Sequence, residues 1–179
     1  TQNTASKTTA PSLLAGCSEP NAVTVMDFNN VRARIYTGGD MFWDNGLSAA
    51  SYVIPNGPVK HSMFLASLWI GGTEVNGQLR IAAKTFGTAG SDFYTGPLDT
   101  SGTAEITPEQ CALYDRHFII TRAEVEQHVA AFLAGKPNPS KGILEWPAHG
   151  DPGLGQSYYL APFFDADASG HYNPIEGGD

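Results

Sequence analysis

Charge is scarce in this sequence. Only 16% of its 179 residues are Asp, Glu, Lys or Arg, below the usual quarter for soluble domains. The polar surface must therefore be built from Ser, Thr, Asn, Gln and Gly. Basic residues are the rarer sign: 10 Lys and Arg against 18 Asp and Glu leave a formal charge of −8. Such a surface repels phosphate backbones, which argues against general nucleic-acid binding. No apolar run approaches the ~18 residues a membrane helix needs, so no membrane span is expected. Sustained heptads are missing, which excludes a long coiled coil. Cysteine occurs twice, far from CxxC spacing, so redox catalysis and a zinc knuckle have no support. HExxH, G-x-S-x-G and a phosphate loop are all absent. His149-Gly150-Asp151 reads as a loop turn rather than a catalytic cluster. The chain is not expected to be an enzyme.

What is present favours one β-rich domain. The length allows a single core and not comfortably two. Gly (20) and Pro (12) are plentiful, which implies many turns. Val31 to Tyr36 alternates apolar and polar residues, the pattern of a half-buried strand. Ser51 to Ile54 is a short strand closed by Pro55-Asn56-Gly57-Pro58. Ser62 to Ile70 is nearly continuously apolar and reads as a buried central strand. Asn76-Gly77 then predicts a hairpin turn into an antiparallel strand over residues 78–86.

One helix is clear. Thr121 and Glu124 form a capping box, in which hydroxyl and carboxylate satisfy free N–H groups at the helix start. Val125, Val129, Phe132 and Leu133 follow at helical spacing and predict the buried face, leaving His128 at the solvent or boundary. Gly135 and Pro137 end the helix. Thr107-Pro108 predicts a shorter helix carrying Cys111 and Tyr114. The expected fold is mainly β, an antiparallel sandwich or jelly-roll-like domain, with one packed helix and long loops.

The stretch Asp165 to Glu176 (DADASGHYNPIE) carries the chemistry. It fits the twelve-position calcium loop when Ser is allowed at position five. Calcium takes six to eight hard oxygens. Asp165, Asp167, the Ser169 hydroxyl, the His171 carbonyl, Asn173 and a bidentate Glu176 are the expected ligands, and Asp179 either adds a ligand or continues the turn. Gly170 permits the sharp turn, and Tyr172 stands where the loop is normally anchored to the fold. Pro174 disfavours an exiting helix. This therefore reads as a structural calcium site without paired helices, with an affinity in the ~10⁻⁴ to 10⁻³ M class of extracellular modules. The bland alternative is a solvated acidic turn.

The ends add expectations about export. The chain starts at Thr1 rather than Met, which reads as removal of a signal peptide. Residues 1–20 read as a flexible or extended arm and 21–179 as the domain, and the stop after Gly177-Gly178 reads as part of a longer chain. In an exported protein, Cys17 and Cys111 favour a disulfide over two separate thiols. It would enclose about 94 residues and contribute roughly 4 kcal/mol. The arm could also add as a strand to a neighbouring subunit, giving a homo-oligomer or filament. Trp43 and Trp146, beside Gly and Pro in loops, are candidates for stacking on a surface glycan, so a carbohydrate-binding module is the rival function.

Whole segments carry a resemblance. NNVRARIYTGGDMFWD, HSMFLASLWIGG, NGQLRIAAKTFG, SDFYTGPLD and EWPAHGDPGLGQSYYLAPFFDADASGHYNPIEGGD resemble the N-terminal region of large secreted surface proteins of Bacteroidota, over roughly residues 28–179. The resemblance implies export by the type IX route, an extracellular or cell-surface location and a role in surface structure, adhesion or gliding-related assembly. It implies no enzyme.

Overall fold

The computed structural model describes residues 17–57, 60–85, 92–99 and 106–179. Sixteen of the twenty positions read as an arm, residues 1–16, lie outside the described residues, and strand addition by that arm lies there too.

The fold is mainly antiparallel β with few helices, as expected. The alternating run forms strand β2 (Val31–Tyr36), which is the hub of a six-stranded sheet. β1 (Val23–Phe28) pairs with its whole length, from Val23 opposite Tyr36 to Phe28 opposite Val31. Its other edge takes β6 (Tyr52–Val53) at Arg32–Ala33 and β3 (Asp40–Met41) at Ile35. The short strands β7 (His61–Met63) and β8 (Ala66–Ser67) extend the sheet beyond β6 and β3. β4 (Trp43–Asp44) and β5 (Ala49–Ala50) form a separate two-stranded ribbon. So do β9 (Trp69–Thr73) and β10 (Leu79–Ala83), joined by the turn at Asn76-Gly77.

The run from Ser62 to Ile70 is not a buried central strand. It breaks into pieces of β7, β8 and β9, and Met63, Phe64, Trp69 and Ile70 are exposed. The reason is topological. Among the described residues β9 pairs only with β10, all five residues of β9 are exposed, and Leu79 and Ile81 are exposed opposite it. Continuous hydrophobicity marks a strand but does not supply its cover.

Three helices follow. α1 (Pro108–Tyr114) is capped by Thr107 and buries Cys111. α2 (Arg122–Leu133) begins with the predicted capping box. Its buried face differs from the hydropathy pattern: Val125, Val129 and Leu133 are exposed, while His128 is 3% exposed. The inward face is offset by one position. His128 and Phe132, one turn apart, point to the protein, and the Phe132 ring lies against Gly178. α3 (Lys141–Leu144) is one turn, capped by Ser140, that buries Ile143.

The segment ahead of β1 is stitched to this body. Cys17 is bonded to Cys111, with Cα atoms 5.9 Å apart. Glu19 pairs with Lys84, which is buried and also faces Asp40 at 3.7 Å. Burial lowers the Lys84 pKa, but the Glu19 and Asp40 carboxylates outweigh it and raise the value. The backbone N–H groups of Asn21 and Ala22 donate to Asp115 at 3.1 and 3.3 Å, and the Thr37 hydroxyl donates to the same carboxylate. Cys17 to Pro20 thus belongs to the domain.

Asp115 makes that junction sensitive to acid. Burial pushes its pKa up, but the Thr37, Asn21 and Ala22 donors and the nearby His117 outweigh it and hold the carboxyl below its usual range. The folded pKa lies below the unfolded value of about 3.9, so the stabilisation is present above that pH. It is lost as pH falls through the folded pKa. Asp115→Asn is expected to lower Tm at neutral pH and to flatten the loss of Tm between about pH 4 and 2. Thermal melts of both proteins across that window check this; parallel profiles would contradict it.

Candidate metal centre

Around the acidic loop the chain turns back on itself, and three elements hold it. Tyr172 is the main anchor. Its hydroxyl donates to the Ile143 carbonyl of α3 at 2.6 Å, and its ring packs edge-on against Phe163. Its backbone N–H donates to His149 Nε2 at 2.8 Å. His149 Nδ1 faces the Tyr158 carbonyl at 3.1 Å, so Nδ1 carries the proton and Nε2 accepts. This neutral imidazole, stacked on Tyr158 at 4.1 Å, is a strut between two loops. Asp151 is equally structural: it caps the 3₁₀ turn Pro152–Leu154 by accepting from Gly153 N–H at 2.8 Å.

Within the loop, backbone donors orient the carboxylates. Asp165 accepts from the N–H groups of Ser169 and Gly170, at 3.0 and 2.8 Å. Gly170 has φ +76°, the left-handed conformation the sixth position requires. Asp167 accepts from Ser169 N–H at 3.0 Å. The Ser169 hydroxyl and N–H hold the Asp167 carboxyl below its usual range. The Ser169 hydroxyl also donates to the His171 carbonyl at 3.2 Å, so positions five and seven are adjacent.

Asp179 completes the cluster. One oxygen accepts from Ala166 N–H at 2.8 Å and the other from Asn173 N–H at 2.9 Å, drawing the end of the segment across its start. Carboxylate oxygens of Asp165, Asp167 and Asp179 lie within 4.8 Å of one another. Burial, together with the Asp179 charge, raises the Tyr172 pKa. Glu176, the expected bidentate ligand, is exposed and lies outside this group. Its backbone follows a turn in which Glu176 and Gly177 N–H both donate to the Asn173 carbonyl. The structure therefore brings together Asp165, Asp167, Ser169, His171 and Asn173, with Asp179 in place of Glu176.

Two further details bear on whether a cation fits. Asn173 Oδ1 is buried with no hydrogen-bond partner, beside the acidic cluster. A Cβ at Gly177 would lie 1.8 Å from Asn173 Oδ1 and 3.0 Å from Asp167 Oδ2, so only glycine allows the chain to close over these oxygens. Three hard carboxylates, an orphan amide oxygen and a nearby carbonyl form a donor set of the kind calcium takes. Nitrogen and sulfur ligands are absent from it, which disfavours zinc.

The aromatic candidates are used internally. Trp43 is half-buried in β4 against Phe64, at 5.0 Å between ring centres. Trp146, also half-buried, donates its indole N–H to the Pro162 carbonyl at 3.1 Å. They sit on separate elements. The most exposed tryptophan is Trp69, placed in the core by its apolar neighbours in sequence.

No family model, curated protein or solved structure matches this chain. Among the described residues, no helix is long and apolar enough to cross a membrane.

Proposed function

We propose that this chain is a calcium-stabilised structural or adhesive module of the bacterial cell surface, in line with the secreted proteins it resembles. The observation that carries this reading is the convergence of Asp165, Asp167 and Asp179 around the partnerless Asn173 Oδ1. Three adjacent carboxylates repel one another, and a divalent cation turns that repulsion into a cross-link between Asp165 and the end of the segment. The ion's role is mechanical: it holds the loop, and no reaction is routed through it. The Cys17–Cys111 bond supports an oxidising location outside the cytosol.

Terbium luminescence sensitised by the neighbouring tyrosines, with calcium as competitor, tests the site. Asp167→Asn and Asp179→Asn are expected to remove saturable calcium competition. Glu176→Gln is expected to change the half-point by less than about twofold, since its carboxylate lies outside the cluster. Loss of binding in Glu176→Gln with retention in Asp179→Asn would overturn this ligand set. Absence of binding in the wild-type protein would overturn the calcium reading itself.

A further inference from the structure

A cleft on the six-stranded sheet has the make-up of a second site, and it uses no residue of the acidic loop. It measures about 230 Å³. Its base is apolar, built from Val25 of β1, Val53 of β6 and Ala50 of β5. Two guanidinium groups line it. Arg32 and Arg34 are two apart on β2, so their side chains leave the same face, opposite Asp27 and Val25 of β1. His61 of β7 and Ser51 complete the wall, and Ser51 Oγ is buried there without a hydrogen-bond partner.

The charges in this cleft are unequally committed. Arg34 is paired with Asp44 at 2.8 Å. Asp44 is itself spent, because its other oxygen accepts from Gly46 and Leu47 N–H at 2.9 and 3.1 Å. Arg32 has no carboxylate within ion-pair distance among the described residues. Asp27, its register partner, takes the Asn56 side-chain N–H instead. An exposed, unpaired arginine beside an apolar floor is notable in a chain with a net charge of −8.

We propose that this cleft binds a small organic carboxylate of single-ring size, the chemistry of a uronic acid unit. A guanidinium presents a planar fork that matches a carboxylate, and that charge comes from Arg32, because Arg34 is neutralised by Asp44, which lines the same cleft. The apolar base suits the C–H face of a pyranose. The volume lies below the ~300–1,000 Å³ of pockets for drug-sized ligands, so the cleft has room for about one ring.

Protein-observed NMR titration of the intact chain with D-glucuronate tests the proposal, with glucose and inorganic phosphate as comparators. Saturable shifts are expected at the amides of Val25, Arg32, Ala50 and Val53, with glucose weaker by about tenfold or more because it lacks the charge. Arg32→Gln is expected to weaken glucuronate by about tenfold without changing Tm, since Arg32 is exposed and holds nothing in the fold. Ala50→Leu fills the cleft while preserving every charge and is expected to abolish the shifts. Three results would each overturn the assignment: no saturable response to glucuronate, phosphate binding as tightly as glucuronate, or undiminished binding in a folded Arg32→Gln protein.

Discussion

Replacing Cys17 and Cys111 by serine is expected to lower Tm by roughly 8–16 °C. The bond joins residues 94 positions apart, and cross-linking a loop of that length removes unfolded-chain entropy worth about 4 kcal/mol. A chain of this size shifts by about 2–4 °C per kcal/mol. The folded state should change little. The neighbouring ties, Glu19 to Lys84 and the Asn21 and Ala22 N–H groups to Asp115, do not depend on sulfur. Calorimetry with and without reductant, alongside the double serine variant, measures the effect. A shift below about 3 °C in both would show that the covalent link adds little to these ties.

Calcium is expected to produce the second large effect. For a site in the ~10⁻⁴ to 10⁻³ M class, 10 mM calcium is about tenfold to a hundredfold above the dissociation constant. Binding to the folded state alone then adds about 1.4–2.7 kcal/mol. Tm should rise by roughly 3–11 °C and return on adding a chelator. Magnesium should act more weakly, because it demands a near-ideal octahedron that this loop, held by Tyr172 and His149, is not built to supply. The Asp167→Asn, Asp179→Asn double variant should not respond. An equal rise in that variant would place the ion elsewhere, and no rise in the wild type would leave the three carboxylates as a solvated turn.

Local signals were legible in the sequence, and signals that depend on cover were not. The capping box of Thr121 and Glu124, the Asn76-Gly77 turn and the Pro108 helix start each involve residues a few positions apart, and all three formed. The Cys17–Cys111 bond was legible because two cysteines allow one internal pairing. The burial of Ser62 to Ile70 was not, since nothing in that stretch says whether a third strand will pack on it. The α2 face was misassigned for a related reason. Hydropathy selects Val125, Val129, Phe132 and Leu133, but of these only Phe132 turns inward, against Gly178, and its buried neighbour one turn away is His128.

At the loop the twelve-position pattern covers Asp165 and Asp167 of the acidic cluster and stops short of Asp179. Asp179 lies three positions past the window and enters only because Gly177 lets the backbone fold over Asn173. His149 carried no local mark either, since its partner Tyr172 is 23 residues away. The Arg32 cleft draws on six strands, β1, β2, β4, β5, β6 and β7, so no motif announces it.

The position of the sulfur link has a mechanical consequence. Among the described residues, all ten strands, from Val23 to Ala83, lie between its two cysteines. Tension pulled through the polypeptide passes from residue 17 to residue 111 across that covalent shortcut, which takes the strands out of the covalent load path. Among the described residues, stretching therefore acts first on the segment beyond Cys111, which carries α2, α3 and the acidic turn.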